Sequence, residues 1–256
     1  MPSVPLRLLA IDSSTDQLSV ALGHGGETEP VGTYRGPGAA QASASLLPVV
    51  QDLLARAGWP LDSLDAIAFG RGPGSFTGLR TACAVAQGLA YGIRRPGHEN
   101  GLPVLPVDTL LALAEEARHQ RAQAGLAVPP LIAALLDARM DEIYLAAYAV
   151  QGTVLRPLAA PVLCAPEALG EQLCQWLPEG RSLAAGDCLL AGNALAVYPD
   201  RLAGLPGERQ AALPGAAALL RLAPALLAAG AAVPAHEALP LYVRDKVART
   251  TAEREQ

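Results

Sequence analysis

The chain opens as a regular alternation of apolar runs of strand length and segments whose apolar residues recur at helical spacing. Residues 6–11 form a continuous apolar run that ends in Asp12-Ser13-Ser14-Thr15. Residues 18–22 predict a second strand closed by a Gly-rich turn, and residues 31–34 a third. Residues 41–57 predict a helix with Leu46, Leu47, Val50, Leu53 and Leu54 on one face and Gly58 as its stop. A strand over 64–69, a Gly-rich turn, a helix over 76–91, a strand over 104–107 and a helix over 109–124 follow.

The second half starts in the same way and then loses its pattern. Residues 131–136 predict a strand ending in Asp137, paired with a strand over 142–150. A third strand is expected over 154–163 and a helix over 167–176. From residue 186 onward the periodicity is weak; a helix over 216–229 has to accommodate Pro224 in its interior. Both halves thus run strand, Asp, further strands, helix, which is compatible with an internal duplication.

The sharpest local feature is Gly70-Arg71-Gly72-Pro73-Gly74-Ser75-Phe76-Thr77-Gly78-Leu79-Arg80. A Gly-rich turn between strand and helix either aims backbone N–H groups at an anion or simply turns tightly. It is not a Walker loop, since no Lys follows the glycines, and Thr77 stands where a nucleophile elbow needs its last Gly. In the helix that follows, Gly78, Ala82, Ala86 and Ala90 recur every four residues, a row suited to close approach by another helix or by the chain's own sheet. Asp12 with Ser13, Ser14 and Thr15, and Asp137 with Arg139, occupy matching strand ends. There they are either turn residues or the remains of phosphate-binding hairpins.

Composition narrows the function. Hydrophobic residues make up 51 % and charged residues 17 % of 256, so the chain folds. With 4 % aromatics, mostly small side chains must fill the core. A net charge of −5, with Lys246 as the single Lys, argues against gripping nucleic acid unaided. Residues 211–235 are apolar but broken by Arg221, Pro214, Pro224 and Pro234, so no membrane span is predicted. No signal-peptide pattern opens the chain, and a cytoplasmic location is expected. Cys83, Cys164, Cys174 and Cys188 form no CxxC pair and read as buried thiols, while His24, His98, His119 and His236 are too scattered for a helix-borne metal site.

Residues 65–92, DAIAFGRGPGSFTGLRTACAVAQGLAYG, closely resemble the bacterial TsaB (YeaZ) family, and three further blocks match in order. These are LLAIDSSTDQLSVAL (residues 8–22), LLDARMDEIYLAAY (residues 135–148) and PLYVRDKVA (residues 240–248). The resemblance implies an α/β fold of the actin/Hsp70/sugar-kinase (ASKHA) type, two-lobed and duplicated with a degenerate second lobe. It divides the chain into an N-terminal lobe over 1–105, a C-terminal lobe over 106–213, and a C-terminal helix and tail over 214–256 with scope to pack back on the first lobe.

The same resemblance implies a non-catalytic scaffold in forming N6-threonylcarbamoyladenosine in ANN-decoding tRNAs. The scaffold would pair with a TsaD-like catalytic subunit, form a homodimer when alone, join a TsaE-like ATPase in a larger complex, and meet tRNA only through that complex. The TsaD family binds ATP and a metal through an HxxxH motif, which is absent here. No cofactor is therefore expected to bind this chain tightly, and ATP and metal are expected on the partner. Asp12, Ser13, Ser14, Thr15, Gly72, Gly74, Ser75 and Thr77 become vestigial phosphate-binding candidates. The family's pairing helices carry over to Leu46, Val50, Leu53, Gly78, Ala82, Val85, Ala86, Leu89 and Ala90; on that reading Ala82→Arg breaks pairing and spares the fold. Two departures stand out: Ala42-Ser43 where relatives often have His-Thr, and a long loop over 93–101. The competing readings are an ATP-dependent phosphotransferase of the same fold, built on Asp12, Asp137 and the Gly-rich turn, and, more weakly, a peptidase.

Overall fold

The computed structural model describes residues 5–26, 29–38, 41–177, 183–184 and 186–244; the end of the fourth matching block, Asp245 to Ala248, lies outside them. The first lobe runs β1 (Leu8–Asp12), β2 (Gln17–Gly23), β3 (Gly32–Pro37), α1 (Ala42–Ala57), β4 (Ala66–Arg71), α2 (Phe76–Gly92), β5 (Val104–Asp108) and α3 (Thr109–Gln123). Its sheet has the order β3-β2-β1-β4-β5, with antiparallel pairing among the first three strands and parallel pairing of β4 to β1 and β5 to β4.

The second lobe repeats this plan. It comprises β6 (Leu131–Asp137), β7 (Ile143–Gln151), β8 (Val154–Pro157), β9 (Val162–Cys164), α4 (Leu169–Trp176), β10 (Cys188–Ala191), α5 (Ala194–Val197), β11 (Glu208–Gln210) and α6 (Ala216–Ala228). The order β11-β10-β6-β7-β8, with the same parallel and antiparallel pairings, is the first sheet over again. The duplication and the two-lobed α/β ASKHA-type class are therefore present. The degeneration lies in the helices: the 16 residues of α1 correspond to the 8 of α4, and the 17 of α2 to the 4 of α5. The single strand expected over 154–163 is two, because Pro157 ends β8 and Pro161 precedes β9; they pair with opposite ends of β7.

The last helix of each half crosses to the other. Leu110, Leu113 and Ala117 of α3 pack with Ile132, Ala134 and Leu189 of the second sheet. Leu219, Leu220 and Ala223 of α6 pack with Leu8, Ala10, Ala21, Ala66 and Ala68 of the first. Small side chains beneath α6 let helix and sheet approach closely, which accounts for a core poor in aromatics. Pro224 does not break α6. It withdraws the N–H that would bond the Leu220 carbonyl, and Gly26 N–H of the β2–β3 turn takes that place at 3.1 Å. Among the described residues no helix is long and apolar enough to cross a membrane.

Where α3 meets α6 a buried ionic cluster fixes their register. Arg221 donates to Glu115 at 2.8 Å and to Glu116 at 2.6 Å, and Arg118 grips Glu115 at 2.7 and 2.9 Å. Burial works to raise the pKa of Glu116, but the hydrogen bond and charge of Arg221, helped by Gln120 and Arg35, outweigh it and hold the pKa below 4.5. A depressed folded pKa means that this contribution is present above pH 4.5 and is lost as pH falls through the folded value. Arg221→Met should cost roughly 3 kcal/mol, since it leaves carboxylates buried with fewer partners. Urea unfolding at neutral pH measures the loss, which should shrink in acid as the carboxyls protonate.

Candidate functional site: the cleft between the lobes

A cavity of about 380 Å³ separates the lobes. It draws on all four family-matching blocks: Ser14, Thr15 and Asp16 after β1, the glycine turn from Gly72 to Phe76, Asp137 to Met140 after β6, and Leu241 to Arg244 from the C-terminal segment. Blocks far apart in sequence thus meet at one place.

The two turns expected to cradle phosphate close on each other. Ser75 N–H donates to the Ser14 carbonyl at 2.7 Å, and Ser13 Oγ donates to the Gly78 carbonyl at 2.8 Å. Ser75 Oγ caps α2 by accepting from Gly78 N–H at 3.3 Å. A Cβ on Gly74 would lie 2.4 Å from the Ser14 carbonyl oxygen, and one on Gly78 1.8 Å from that of Ser13. These glycines serve close backbone contact. Thr109 Oγ1 holds the other side by donating to the Pro73 carbonyl at 2.6 Å.

Asp12 is 1 % exposed and stands off the cleft, beneath Gly70. Its Oδ1 accepts from Ser14 N–H at 3.2 Å and Ser14 Oγ at 2.9 Å, while its buried Oδ2 has no partner. Burial pushes its pKa up from 3.8 to about 6, against the smaller lowering by Ser14. Asp137 does line the cleft. Its Oδ1 accepts from Tyr198 Oη and from Arg139 N–H, both at 3.0 Å, and its N–H donates to Asn193 Oδ1. Arg139 reaches across the lobes to Asp16 at 3.2 Å. Thr77 lies on the outer surface of α2, outside the cleft. The carboxylate at the end of β1 lies under Gly70, outside the cleft lining, and the Ser75 N–H and Ser13 hydroxyl are each given to a carbonyl of the facing turn.

The residues expected to meet a partner face inward. Ala82, Ala86 and Ala90 are 0 % exposed, and Leu46, Val50, Leu53 and Gly78 are buried with them. Val85 and Leu89 are half-buried against the same core. The physical reason is close approach: the face of α2 turned to β1 and β4 is mostly Gly and Ala, with Leu79 and Cys83 buried beside them. Ala82→Arg therefore destroys the fold rather than sparing it. The outward face carries a second row, Thr77, Arg80, Ala84, Gly88 and Tyr91, beside Leu47, Pro48 and Gln51 of α1. Of the thiols, Cys83 and Cys188 are buried, but Cys174 is exposed, contrary to the expectation for all four. The long loop is fastened by Arg95, which donates to the Asp62 and Leu64 carbonyls and to Asp65.

A family model described as TsaD, tRNA N6-adenosine threonylcarbamoyltransferase, matches residues 37–252. The chain is 33 % identical over 246 residues to the tRNA threonylcarbamoyladenosine biosynthesis protein TsaB of Haemophilus influenzae, covering 94 % of this chain and 95 % of the relative. It is 32 % identical to the Escherichia coli protein of the same name, covering 95 % and 96 %. The solved structure of YeaZ from Pseudomonas aeruginosa superposes with a TM-score of 0.73 at 36 % identity, over 93 % of this chain and 99 % of that one.

Asp12 supplies a test of the closed site. Below pH 3.8 both folded and unfolded states hold its proton. Between 3.8 and about 6 only the folded state keeps it, so stability falls with rising pH and stays lower above 6. At about 1.4 kcal/mol per unit the penalty is at most roughly 3 kcal/mol. Asp12→Asn should thus gain on the order of 1–3 kcal/mol at neutral pH and little near pH 4, read from urea midpoints at both.

Proposed function

The chain belongs to the TsaB (YeaZ) family of tRNA threonylcarbamoyladenosine biosynthesis proteins, and from that premise we propose that it acts there as a non-catalytic pairing subunit. It seats a TsaD-like transferase that carries ATP and metal and moves the threonylcarbamoyl group to adenosine in ANN-decoding tRNAs. A TsaE-like ATPase joins the larger complex, tRNA is met through the assembly in the cytoplasm, and the chain pairs with itself when alone.

The observation that carries this reading is the closure of the glycine turn on Ser13 and Ser14, which occupies groups that a phosphotransferase would turn toward phosphate. The same closure, with Asp12 facing away, counts against the phosphotransferase reading, and the acidic net charge favours tRNA held by another subunit.

The pairing surface in this proposal is the outward face of α1 and α2. Around Gly88 a Cβ would meet nothing within 4 Å, so a partner helix has room to come close. Leu47, 45 % exposed, and Tyr91, 58 % exposed, supply apolar area at its edges.

Gly88→Arg or Ala84→Arg should remove the heavier species when the chain is mixed with the transferase, and with it tRNA modification. The thermal midpoint of the chain should hold, since both positions are exposed. Mass measurement on the mixture decides: a complex that survives both substitutions sinks this surface.

A further inference from the structure

The C-terminal segment over 238–244 connects two places that the pairing surface and the cleft leave unconnected. On α2 it is held by four residues. The Ala238 carbonyl accepts from Gln87 Nε2 at 2.8 Å and from Cys83 Sγ at 3.2 Å. Tyr242 Oη accepts from Arg80 Nε at 2.9 Å, and the Tyr242 ring lies 5.2 Å from that of Phe76. The Arg80 guanidinium lies 3.6 Å over the Phe76 ring and 5.7 Å from the centre of the Tyr242 ring, so the three groups cluster at the cleft mouth.

At its other end the segment grips the second lobe. Arg244 donates to the Ala138 carbonyl at 3.1 Å, to Met140 Sδ at 2.9 Å and to the Glu142 carboxylate. These groups belong to the β6–β7 turn, where Arg139, Met140 and Asp141 adopt φ of 62, 55 and 60° in succession. Three consecutive left-handed residues with side chains cost about 1 kcal/mol or more each, so the turn needs ties from outside. Arg201 supplies one through Asp141 at 2.9 Å, Asp16 one through Arg139, and Arg244 the rest.

We propose that residues 238–244 are a latch that couples α2 of the first lobe to the strained β6–β7 turn of the second, so that a load on the outer end of α2 is felt in the interlobe cleft. Phe76 and Arg80 are both exposed in the first turns of α2, on the flank beside the outward face that carries Gly88, and touch the latch directly. The inference goes beyond pairing and stands on the isolated chain.

Hydrogen–deuterium exchange on the full chain alone tests it. Arg80→Ala and Phe76→Ala should raise exchange across residues 138–142 by about fivefold or more, while the β1 and β4 amides stay protected. Arg244→Ala should do the same directly. Should that variant lose its fold by thermal melt, the surface variants on α2 still decide. Leu47→Ala, on the outer face of α1 and away from the latch, should leave the turn unchanged. The latch is overturned if Arg80→Ala and Phe76→Ala keep exchange at 138–142 within about twofold of the unaltered chain. It is equally overturned if Leu47→Ala loosens the turn as much as they do.

Discussion

The structure depends on the meeting of α3 and α6 through Arg221, Glu115 and Glu116. Each helix follows one sheet in sequence and packs on the other, so the two lobes hold together only while these helices keep their register. Apolar contact alone sets register weakly when the residues are Ala and Leu, because neighbouring small side chains are interchangeable. A buried guanidinium that must meet two carboxylates tolerates no slip, since any shift would strand charge in an apolar interior. The Ala-rich sheet beneath α6 and the ionic clamp beside it are complementary: one permits close approach, the other says where.

Close approach also explains the cleft. The glycine turn before α2 has the composition of a phosphate cradle, but composition does not say what the backbone N–H groups face. Here the turn has moved onto the β1 end until Gly74 and Gly78 touch the Ser13 and Ser14 backbone, and the hydrogen bonds run between the two turns. Asp12 is left under Gly70 with one oxygen unpartnered, and its burial raises its pKa and costs stability at neutral pH.

Much of this was legible in the chain. Continuous apolar runs gave the buried strands β1, β4 and β6, because strands covered on both faces need no alternation. The repeat of strand, Asp, strands and helix was visible and is borne out by identical strand order in both sheets. What failed was facing. Gly78, Ala82, Ala86 and Ala90 step by four residues and drift around a helix of 3.6 residues per turn, whereas Thr77, Arg80, Ala84, Gly88 and Tyr91 follow the true period. Small residues stand in both rows, Ala82 and Ala86 in one and Ala84 and Gly88 in the other, so a small side chain alone did not separate core from surface; the sheet beneath decides. β11, three polar residues at a sheet edge, and α5, a single turn, carry no periodic signal at all. The rescue of Pro224 by Gly26 depends on a contact nearly 200 residues away in sequence, beyond the reach of local pattern.

These facing relations give α2 its place in the molecule. Its inner face is bound to the first sheet through residues too small to give way, so the helix cannot move independently of that lobe. Its outer face is open and also small, so a partner can approach it without displacing anything. Along its flank run Cys83, Gln87, Arg80 and Phe76, each engaged with the C-terminal segment that ends on the second lobe. A helix fixed to one lobe, open to a partner and fastened to the other lobe is mechanically a bridge. The face that α2 presents to solvent and its ties to the C-terminal segment are thus carried by the same seventeen residues, so a change on one is placed to reach the other.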